Sequence, residues 1–213
     1  MRDISLIAFD ADDTLWECQT YFASVEKDYC DLLKHYAPAE DISQALFATE
    51  IANMELLGYG SKAFILSLLE NATHVSDGKL TSAEVAAIIK MGKSLLQLPG
   101  KPLEGVEETL QELRKSGLYK MVVFTKGELL DQESKFKRSG LRDCFDDIVV
   151  VSDKTPAAYE RLCKQYGVGI EQLLMVGNSF KSDVEPVLKL GGWAAHIPFR
   201  SEERRVGKEC TSW

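Results

Sequence analysis

Acidic and small polar residues follow several apolar segments of this 213-residue chain. In chain order they are Asp10, Asp12, Asp13 and Thr14 after the first segment, Thr125 and Lys126 after the second, Asp153 and Lys154 after the third, and Asn178, Ser179 and Asp183 after the fourth. Ligands of open α/β sheets bind at the carboxyl ends of the strands, so we expect these side chains to share one edge. Carboxylates, a hydroxyl and an ammonium group at one edge indicate phosphoryl transfer to a carboxylate.

Such a reaction needs two carboxylates with different tasks. A nucleophilic aspartate forms an aspartyl-phosphate and splits a slow hydrolysis into two faster steps. Its attack on a dianionic phosphate is repelled, so a divalent cation and a lysine must offset the negative charge. A second carboxylate protonates the leaving oxygen and then deprotonates the attacking water. The two acids must therefore start in opposite protonation states.

Each of these residues also has a simpler interpretation. Acidic residues two apart, such as Asp10 and Asp12, are common in turns after strands. Thr125 alone is more typical of a helix N-cap, and Lys154 alone of a solvated surface charge. Lys126 either reaches a substrate anion or is solvated. Because four consecutive strand ends together supply the parts of one reaction, the whole set favours a catalytic site.

The apolar segments that precede these residues predict the elements that position them. They are Ile4–Phe9, Met121–Phe124, Ile148–Val151, Leu173–Val176 and Trp193–Ile197. Near-continuous apolar segments are typical of strands covered on both faces, and helix-period segments lie between the later ones. This alternation predicts an α/β fold with a doubly wound parallel sheet, formed by residues 1–16 and 99–200.

Residues 17–98 interrupt the alternation with helical periodicity and no strand pattern. Four amphipathic helices are predicted here, with Pro38 ending the first and Thr81 and Glu84 spaced as a capping box at the start of the fourth. Four such helices can bury a small core of their own, so we expect an inserted all-helical domain. Residues 201–213 have no amphipathic period, which favours a disordered or non-native tail.

Composition excludes several classes of function. Asp and Glu number 33 against 25 Lys and Arg, and the formal charge of −8 disfavours nucleic acid and anionic membranes as partners. Five cysteines without a CxxC pair indicate reduced thiols, and no apolar segment is long enough to span a membrane. We therefore expect a cytoplasmic monomer or small homo-oligomer that acts on a small molecule.

The motifs together resemble those of the haloacid dehalogenase superfamily of phosphohydrolases across residues 4–198. The resemblance implies that Asp10 is the nucleophile and Asp12 the general acid and base. It implies that Thr125 and Lys154 bind the phosphate. It implies that Mg²⁺ is bound by Asp10, Asp183, Asn178 and the main-chain carbonyl of Asp12. It also implies that residues 17–98 form a helical cap that closes over the site and selects the substrate.

Two residues depart from the superfamily pattern. Asp13 stands where many relatives carry glycine and is interpreted as a turn residue, and Asn178 stands where aspartate is usual, which lowers the ligand charge. Dehalogenases of the superfamily lack the second aspartate and need no metal, so Asp12 favours a phosphomonoester hydrolase. A sugar-phosphate mutase and a non-catalytic binding protein remain as alternatives. Trp16, directly after the first motif, either lines a substrate pocket or packs at the entry to the cap.

Overall fold

Five short apolar segments form one parallel sheet in the computed structural model, which describes residues 4–199. The strands are β1 (Leu6–Phe9), β2 (Lys120–Lys126), β3 (Asp147–Val151), β4 (Leu173–Gly177) and β5 (Trp193–His196). Their spatial order is β3-β2-β1-β4-β5, and every neighbouring pair is parallel. This confirms the predicted α/β class with its doubly wound parallel sheet. Because β1 lies at the centre, the residues that follow it are flanked by those that follow β2 and β4.

Helices connect the strands and fill the long segment after β1. They are α1 (Gln19–Leu33), α2 (Ala39–Leu57), α3 (Ser61–Val75), α4 (Ser82–Leu95), α5 (Val106–Ser116), α6 (Leu129–Ser139), α7 (Pro156–Tyr166) and α8 (Glu185–Leu190). A single turn of π-helix, Phe180–Val184, precedes α8. None of the helices among residues 4–199 has the length and apolar character that crossing a membrane requires.

Both faces of the sheet are covered, which explains why its strands are apolar throughout. Successive strand residues point to opposite faces. Ile7 and Phe9 pack with Leu110 of α5 and Phe136 of α6 on one face. On the other face the buried residues include Leu6, Ala8 and Phe124 from the strands, Tyr159 and Leu162 from α7, and Val187 from α8. Burial on both faces fixes the strands and thereby the loops at their carboxyl ends.

The chain divides into two compact units. One contains the sheet and comprises the chain up to Gln19 and from Pro99 onward, and the other is Thr20–Leu98. The insert predicted from the sequence spans residues 17–98. The predicted tail, residues 201–213, lies outside the described residues.

The Thr20–Leu98 unit is helical and has its own core. Its buried side chains include Tyr29, Leu46, Leu68, Ile88 and Leu95. α1 ends at Leu33, earlier than Pro38 suggested, and Pro38 instead precedes the first residue of α2. Proline fits there because it has no N–H to leave unpaired at a helix start. The predicted capping box of α4 is present: Thr81 accepts from the N–H of Glu84, and Glu84 accepts from the N–H of Thr81.

Candidate active site

The loop after β1 turns sharply at Asp13. Its φ of +60° is a left-handed backbone conformation, which favours glycine and which aspartate tolerates better than most residues. One carboxylate oxygen accepts hydrogen bonds from the N–H groups of Cys18 at 2.8 Å and Gln19 at 3.0 Å, where α1 begins. The side chain therefore caps a helix start, in agreement with its interpretation as a turn residue.

Lys154 brings two of the predicted site residues together. Its Nζ lies 2.5 Å from Asp10 Oδ1 and 2.6 Å from Asp183 Oδ1. Lys154 follows β3, Asp10 follows β1 and Asp183 comes from the turn after β4, so three strand ends meet at one ammonium group. All three residues are buried. The simpler interpretation of Lys154 as a solvated surface charge is therefore wrong.

Burial and pairing act against each other in this cluster. Burial raises the pKa of the Asp10 carboxyl to about 6 even though Lys154 opposes the increase, and the charge of Asp183 adds to it. Burial also disfavours the charged form of Lys154, but the two carboxylates outweigh that effect and raise its pKa above the ordinary value. With both acids ionised, two carboxylates share one ammonium group. The cluster then carries an excess negative charge, to which a cation would be attracted.

Thr14 links Asp10 to Asn178. Its hydroxyl oxygen lies 3.2 Å from both Asp10 Oδ2 and Asn178 Oδ1, and it accepts a hydrogen bond from the N–H of Asn178 at 3.1 Å. His196, at the end of β5, lies with Nε2 2.9 Å from the carbonyl oxygen of Asn178. No separate role for Thr14 was predicted from the sequence. The structure shows that it sets the position of two predicted metal ligands relative to each other.

The turn after β4 places Asp183 against the end of that strand. The π-helical turn Phe180–Val184 directs its carboxylate back, where Oδ2 accepts a hydrogen bond from the N–H of Ser179 at 3.0 Å. A Cβ atom at Gly177 would collide with this carboxylate. Glycine is therefore required at the last position of β4, because any side chain there would displace Asp183.

The donor atoms at this edge fit a magnesium ion. Asp10 and Asp183 converge on Lys154, and Thr14 joins Asp10 to Asn178. Among residues 4–199 no three His, Cys, Asp or Glu side chains form a metal-binding group. Mg²⁺ prefers hard oxygen ligands and is usually held by one or two carboxylates, with water in other positions. Two carboxylates and an amide oxygen match that requirement, and ligation by the carbonyl of Asp12 stays a prediction.

Asp12 is held by three side chains that the motifs did not identify. Both of its carboxylate oxygens lie 2.8 Å from Lys135 Nζ. Oδ1 also accepts from the indole N–H of Trp16 at 2.9 Å, and Oδ2 from the amide of Gln132 at 2.9 Å. Burial raises the pKa of Asp12, but the charge and hydrogen bonds of Lys135 and the bonds from Gln132 and Trp16 outweigh it and lower the pKa below its usual value. Trp16 is buried, so its indole is fixed in place and its hydrogen bond helps to hold Asp12.

The helix that supplies two of these side chains buries several polar residues and exposes two leucines. In α6, Asp131, Gln132 and Lys135 are buried, whereas Leu129 and Leu130 are more than half exposed. Lys135 Nζ also lies 3.8 Å from Asp131 Oδ2. Polar residues buried on a sheet-facing helix are unusual and often mark a functional site. That pattern is a signal for Lys135, but it is visible only once the buried face of α6 is known.

Thr125 and Lys126 lie at the carboxyl end of β2, next to β1. Thr125 is buried within the strand, where it is paired with Val150, so it is not a helix N-cap. Lys126 is half-buried, and its Nζ donates to the hydroxyl of Ser182 at 3.2 Å. Both residues thus lie at the end of β2, beside the strand that leads to Asp10. Their contacts with a phosphate stay predictions.

Several solved structures are similar to this chain. A haloacid dehalogenase-like family hydrolase from Xanthomonas campestris is 38% identical, with a TM-score of 0.87 over 92% of this chain and 82% of its own. A magnesium-bound putative hydrolase, YfnB from Bacillus subtilis, is 15% identical with a TM-score of 0.66 over 92% and 89%. A 2-haloacid dehalogenase from Pseudomonas syringae is 19% identical with a TM-score of 0.64 over 91% and 86%. The last two similarities concern the fold alone.

No curated protein matches the sequence. The sequence does match the family model of the haloacid dehalogenase-like hydrolases over residues 4–191. That range contains all of the predicted site residues, from Asp10 to Asp183. The chain therefore belongs to the haloacid dehalogenase-like hydrolases.

Proposed function

We propose that this protein is a Mg²⁺-dependent phosphomonoester hydrolase that acts through an aspartyl-phosphate intermediate on Asp10. The observation that carries the proposal is that two aspartates lie on one loop and have different partners. Asp10 contacts Lys154, which also contacts Asp183, and Asp12 contacts Lys135. This arrangement supplies one carboxylate as nucleophile and a second one for proton transfer.

In the first step an Asp10 carboxylate oxygen forms a bond to phosphorus as the bond from phosphorus to the leaving oxygen breaks. Asp12, in its protonated form, gives its proton to that leaving oxygen. In the second step Asp12 takes a proton from a water molecule that attacks phosphorus. The bond to Asp10 then breaks, inorganic phosphate leaves, and Asp12 is again protonated. Lys154 keeps Asp10 oriented and offsets charge on the phosphoryl oxygens.

The proposed metal ligands are Asp10, Asp183 and Asn178, with the main-chain carbonyl of Asp12. When bound, Mg²⁺ would neutralise part of the charge of the phosphate and of the carboxylate that attacks it. Support for this choice comes from the hard oxygen donors and from the excess negative charge around Lys154. The magnesium reported for the Bacillus subtilis structure adds support from the same fold.

The protonation state of Asp12 has to change during such a cycle. Its contacts with Lys135, Gln132 and Trp16 favour the ionised form, which is the form needed to activate water. A dianionic phosphate bound beside Asp12 raises its pKa by charge repulsion and so favours the protonated form needed for the first step. Substrate binding thus favours the protonated form of Asp12 in the first step, and departure of the leaving group restores the ionised form for the second.

Dehalogenation of a haloacid is the main competing function, because a dehalogenase shares the fold. Such enzymes use one aspartate in this loop and no metal. The second aspartate and its three polar partners favour the hydrolase. A sugar-phosphate mutase keeps both aspartates and is separated from a hydrolase by its product. The substrate proposed is a small phosphomonoester, and its selection by the Thr20–Leu98 unit stays a prediction.

The test uses the purified full chain with 4-nitrophenyl phosphate. We expect hydrolysis in Mg²⁺, loss of hydrolysis in excess EDTA, and loss of at least a hundredfold in kcat in Asp10→Asn, whose amide is nearly isosteric but not nucleophilic. Circular dichroism of the variant checks that it is folded. A panel of phosphomonoesters would then identify the substrate class.

Three results would contradict the proposal. Full activity in EDTA would indicate metal-free chemistry, and chloride release from 2-chloropropionate without phosphate release would indicate a dehalogenase. Isomerisation of a sugar phosphate faster than phosphate release would indicate a mutase.

A further inference from the structure

We propose that Lys135 is a positioning residue, which holds the Asp12 carboxylate in the orientation from which it exchanges protons during turnover. This inference rests on the proposed function, because it assigns a role to Lys135 through Asp12. It concerns a helix, α6, that contains none of the motif residues.

A buried lysine contacts both oxygens of the Asp12 carboxylate. Lys135 Nζ lies 2.8 Å from each carboxylate oxygen, and its side chain is 3% exposed. Burying a lysine is costly unless its charge is paired, and here the partner is a predicted catalytic residue. Lys135 therefore does not serve as a surface charge, and its place in the fold is explained by the carboxylate that it contacts.

The remaining donors complete the coordination of that carboxylate. The indole N–H of Trp16 binds Oδ1 and the amide of Gln132 binds Oδ2, each at 2.9 Å. Gln132 Nε2 also donates to the carbonyl oxygen of Lys126 at 3.0 Å, which ties α6 to the end of β2. With two contacts from Lys135, the four acceptor directions of the carboxylate are filled. The carboxylate is thus fixed in rotation as well as in place.

A proton of substrate or water can reach Asp12 only if one of these four contacts is given up. All four contacts have an ionised acceptor, but the donors of Trp16 and Gln132 are neutral, whereas Lys135 also carries a full positive charge. We therefore expect the contacts from Trp16 and Gln132 to be the ones exchanged, while the ion pair with Lys135 is retained. Lys135 then keeps Asp12 aligned through both steps.

The burial pattern of α6 supports this assignment independently. The helix buries Gln132 and Lys135 and leaves Leu129 and Leu130 exposed, which costs stability in comparison with the opposite arrangement. Such a cost is understandable where the polar face positions a reacting group.

The experiment is a double-mutant cycle between Lys135 and Asp12, with 4-nitrophenyl phosphate as substrate. We expect Lys135→Met to lower kcat by about 10- to 100-fold with KM changed less than about threefold, because misplacement of a reacting group by about 1 Å can cost that much in rate. In an Asp12→Ala background, which keeps measurable activity because nitrophenolate is a good leaving group, the same substitution should change kcat by less than about twofold. Lys137→Met, at an exposed position of the same helix, is the matched control and should leave both constants unchanged.

Removing Lys135 leaves Asp12 without its counter-ion. It also removes a positive charge that lies 3.8 Å from Asp131, so Lys135→Met can lower the stability of the protein. Lys135→Arg keeps the charge with a different geometry and is run through the same cycle, with circular dichroism as the check of folding. If this variant is folded, a kcat defect confined to the background that retains Asp12 supports positioning. An equal defect in both backgrounds overturns it, as does wild-type kcat in either Lys135 variant. If the wild-type protein itself shows no Mg²⁺-dependent hydrolysis on any phosphomonoester, the proposed function fails, and this inference falls with it.

Discussion

At the scale of residues, charge balance is the feature shared by the two clusters of the site, one around Lys154 and the other around Lys135. Asp10 and Asp183 share Lys154, and Asp12 pairs with Lys135. Each carboxylate therefore has a cation beside it, but Asp10 and Asp183 have a single ammonium group between them. Asn178 next to them is neutral, which limits the local charge. The identity of residue 178 should therefore control how strongly this site attracts a divalent cation.

Asn178→Asp is predicted to tighten Mg²⁺ binding. An additional carboxylate near a divalent ion supplies on the order of 1–2 kcal/mol at an effective dielectric well above the dry limit. This corresponds to roughly a tenfold lower half-saturating Mg²⁺ concentration. The measurement is a Mg²⁺ titration of activity at saturating substrate in both proteins. The added charge also faces the incoming phosphate, so we expect KM for substrate to rise.

A Mg²⁺ requirement that is unchanged or weaker in Asn178→Asp would place Asn178 away from the metal. Asp10 and Asp183 would then be its remaining side-chain ligands. Ser179→Ala is a control within the same turn. Its hydroxyl caps the π-helical turn by accepting from the N–H of Ser182, so its loss should affect stability more than metal affinity.

Residues that directly follow a strand were predictable from the sequence, and residues on helix faces were not. Asp10, Thr125 and Asn178 each come within two residues of a buried apolar segment, so the strand fixes where they lie. Gln132 and Lys135 lie on α6, and their inward direction depends on which face of that helix packs on the sheet. A lysine in an isolated helical pattern is assigned to solvent, because most lysines are there. Tertiary packing supplied the missing information.

At the scale of elements, Asp146 joins three parts of the sheet unit just before β3. Its carboxylate accepts hydrogen bonds from the N–H of Met121 in β2 and from Arg114 of α5, both at 2.8 Å. Its own N–H donates to the carbonyl of Met121 at 2.8 Å. These contacts lock the register of β2, and β2 carries Thr125 and Lys126 to the site. A register shift by one residue would turn Thr125 to the other face of the sheet.

Asp146→Asn is predicted to destabilise the sheet unit in a pH-dependent way. Burial raises the pKa of Asp146, but the hydrogen bonds from Met121 and Arg114 outweigh it, so the pKa is lowered. A lowered pKa means that the stabilisation is present above the ordinary value near 4 and is lost as pH falls through the folded-state pKa. We expect the variant to be less stable by about 1 kcal/mol at pH 7, since Arg114 is partly exposed and its ion pair is screened.

Urea unfolding followed by tryptophan fluorescence measures this difference, because Trp16 and Trp193 both belong to the sheet unit. At pH 3 the gap between wild type and Asp146→Asn should shrink, because wild-type Asp146 loses charge as well. A gap of the same size at pH 3 and pH 7 would show that the charge of Asp146 does not stabilise the fold. Asp143→Asn, on the neighbouring turn, provides a charge-matched control.

Elements were predicted more reliably in type than in their ends. The five strands follow from short continuous apolar segments and the helical character of the insert follows from helical periodicity, because each pattern records which residues of the element are buried. The first helix ends at Leu33 instead of near Pro38, and the π-helical turn Phe180–Val184 has no periodic pattern that announces it. The π-helical turn is explained by the hydrogen bond from the N–H of Ser179, directly after β4, to the carboxylate of Asp183, and this contact depends on tertiary structure that no sequence period records.

At the scale of the whole molecule, the site and the insert belong to different units of the chain. All of the predicted ligands and catalytic residues lie in the unit that contains the sheet, and none lies in Thr20–Leu98. The formal charge of −8 makes the protein as a whole attractive to cations. A specific metal site must therefore be distinguished from general screening of an acidic protein.

Mg²⁺ is predicted to stabilise the sheet unit beyond what ionic strength alone provides. A ligand that binds the folded state and not the unfolded state stabilises it by about 2.7 kcal/mol at a hundred times its dissociation constant. We expect Tm, followed by tryptophan fluorescence, to rise by several degrees in millimolar MgCl₂ relative to NaCl of equal ionic strength. Asp183→Asn removes a proposed ligand with little change of shape, so it should lose most of this increment, which is measured relative to the variant's own Tm without Mg²⁺. Asp153→Asn, an exposed acidic residue beside Lys154, should keep the increment. An equal increment in wild type and Asp183→Asn would mean that Mg²⁺ stabilises the protein by screening its net charge and not by binding at the end of β4.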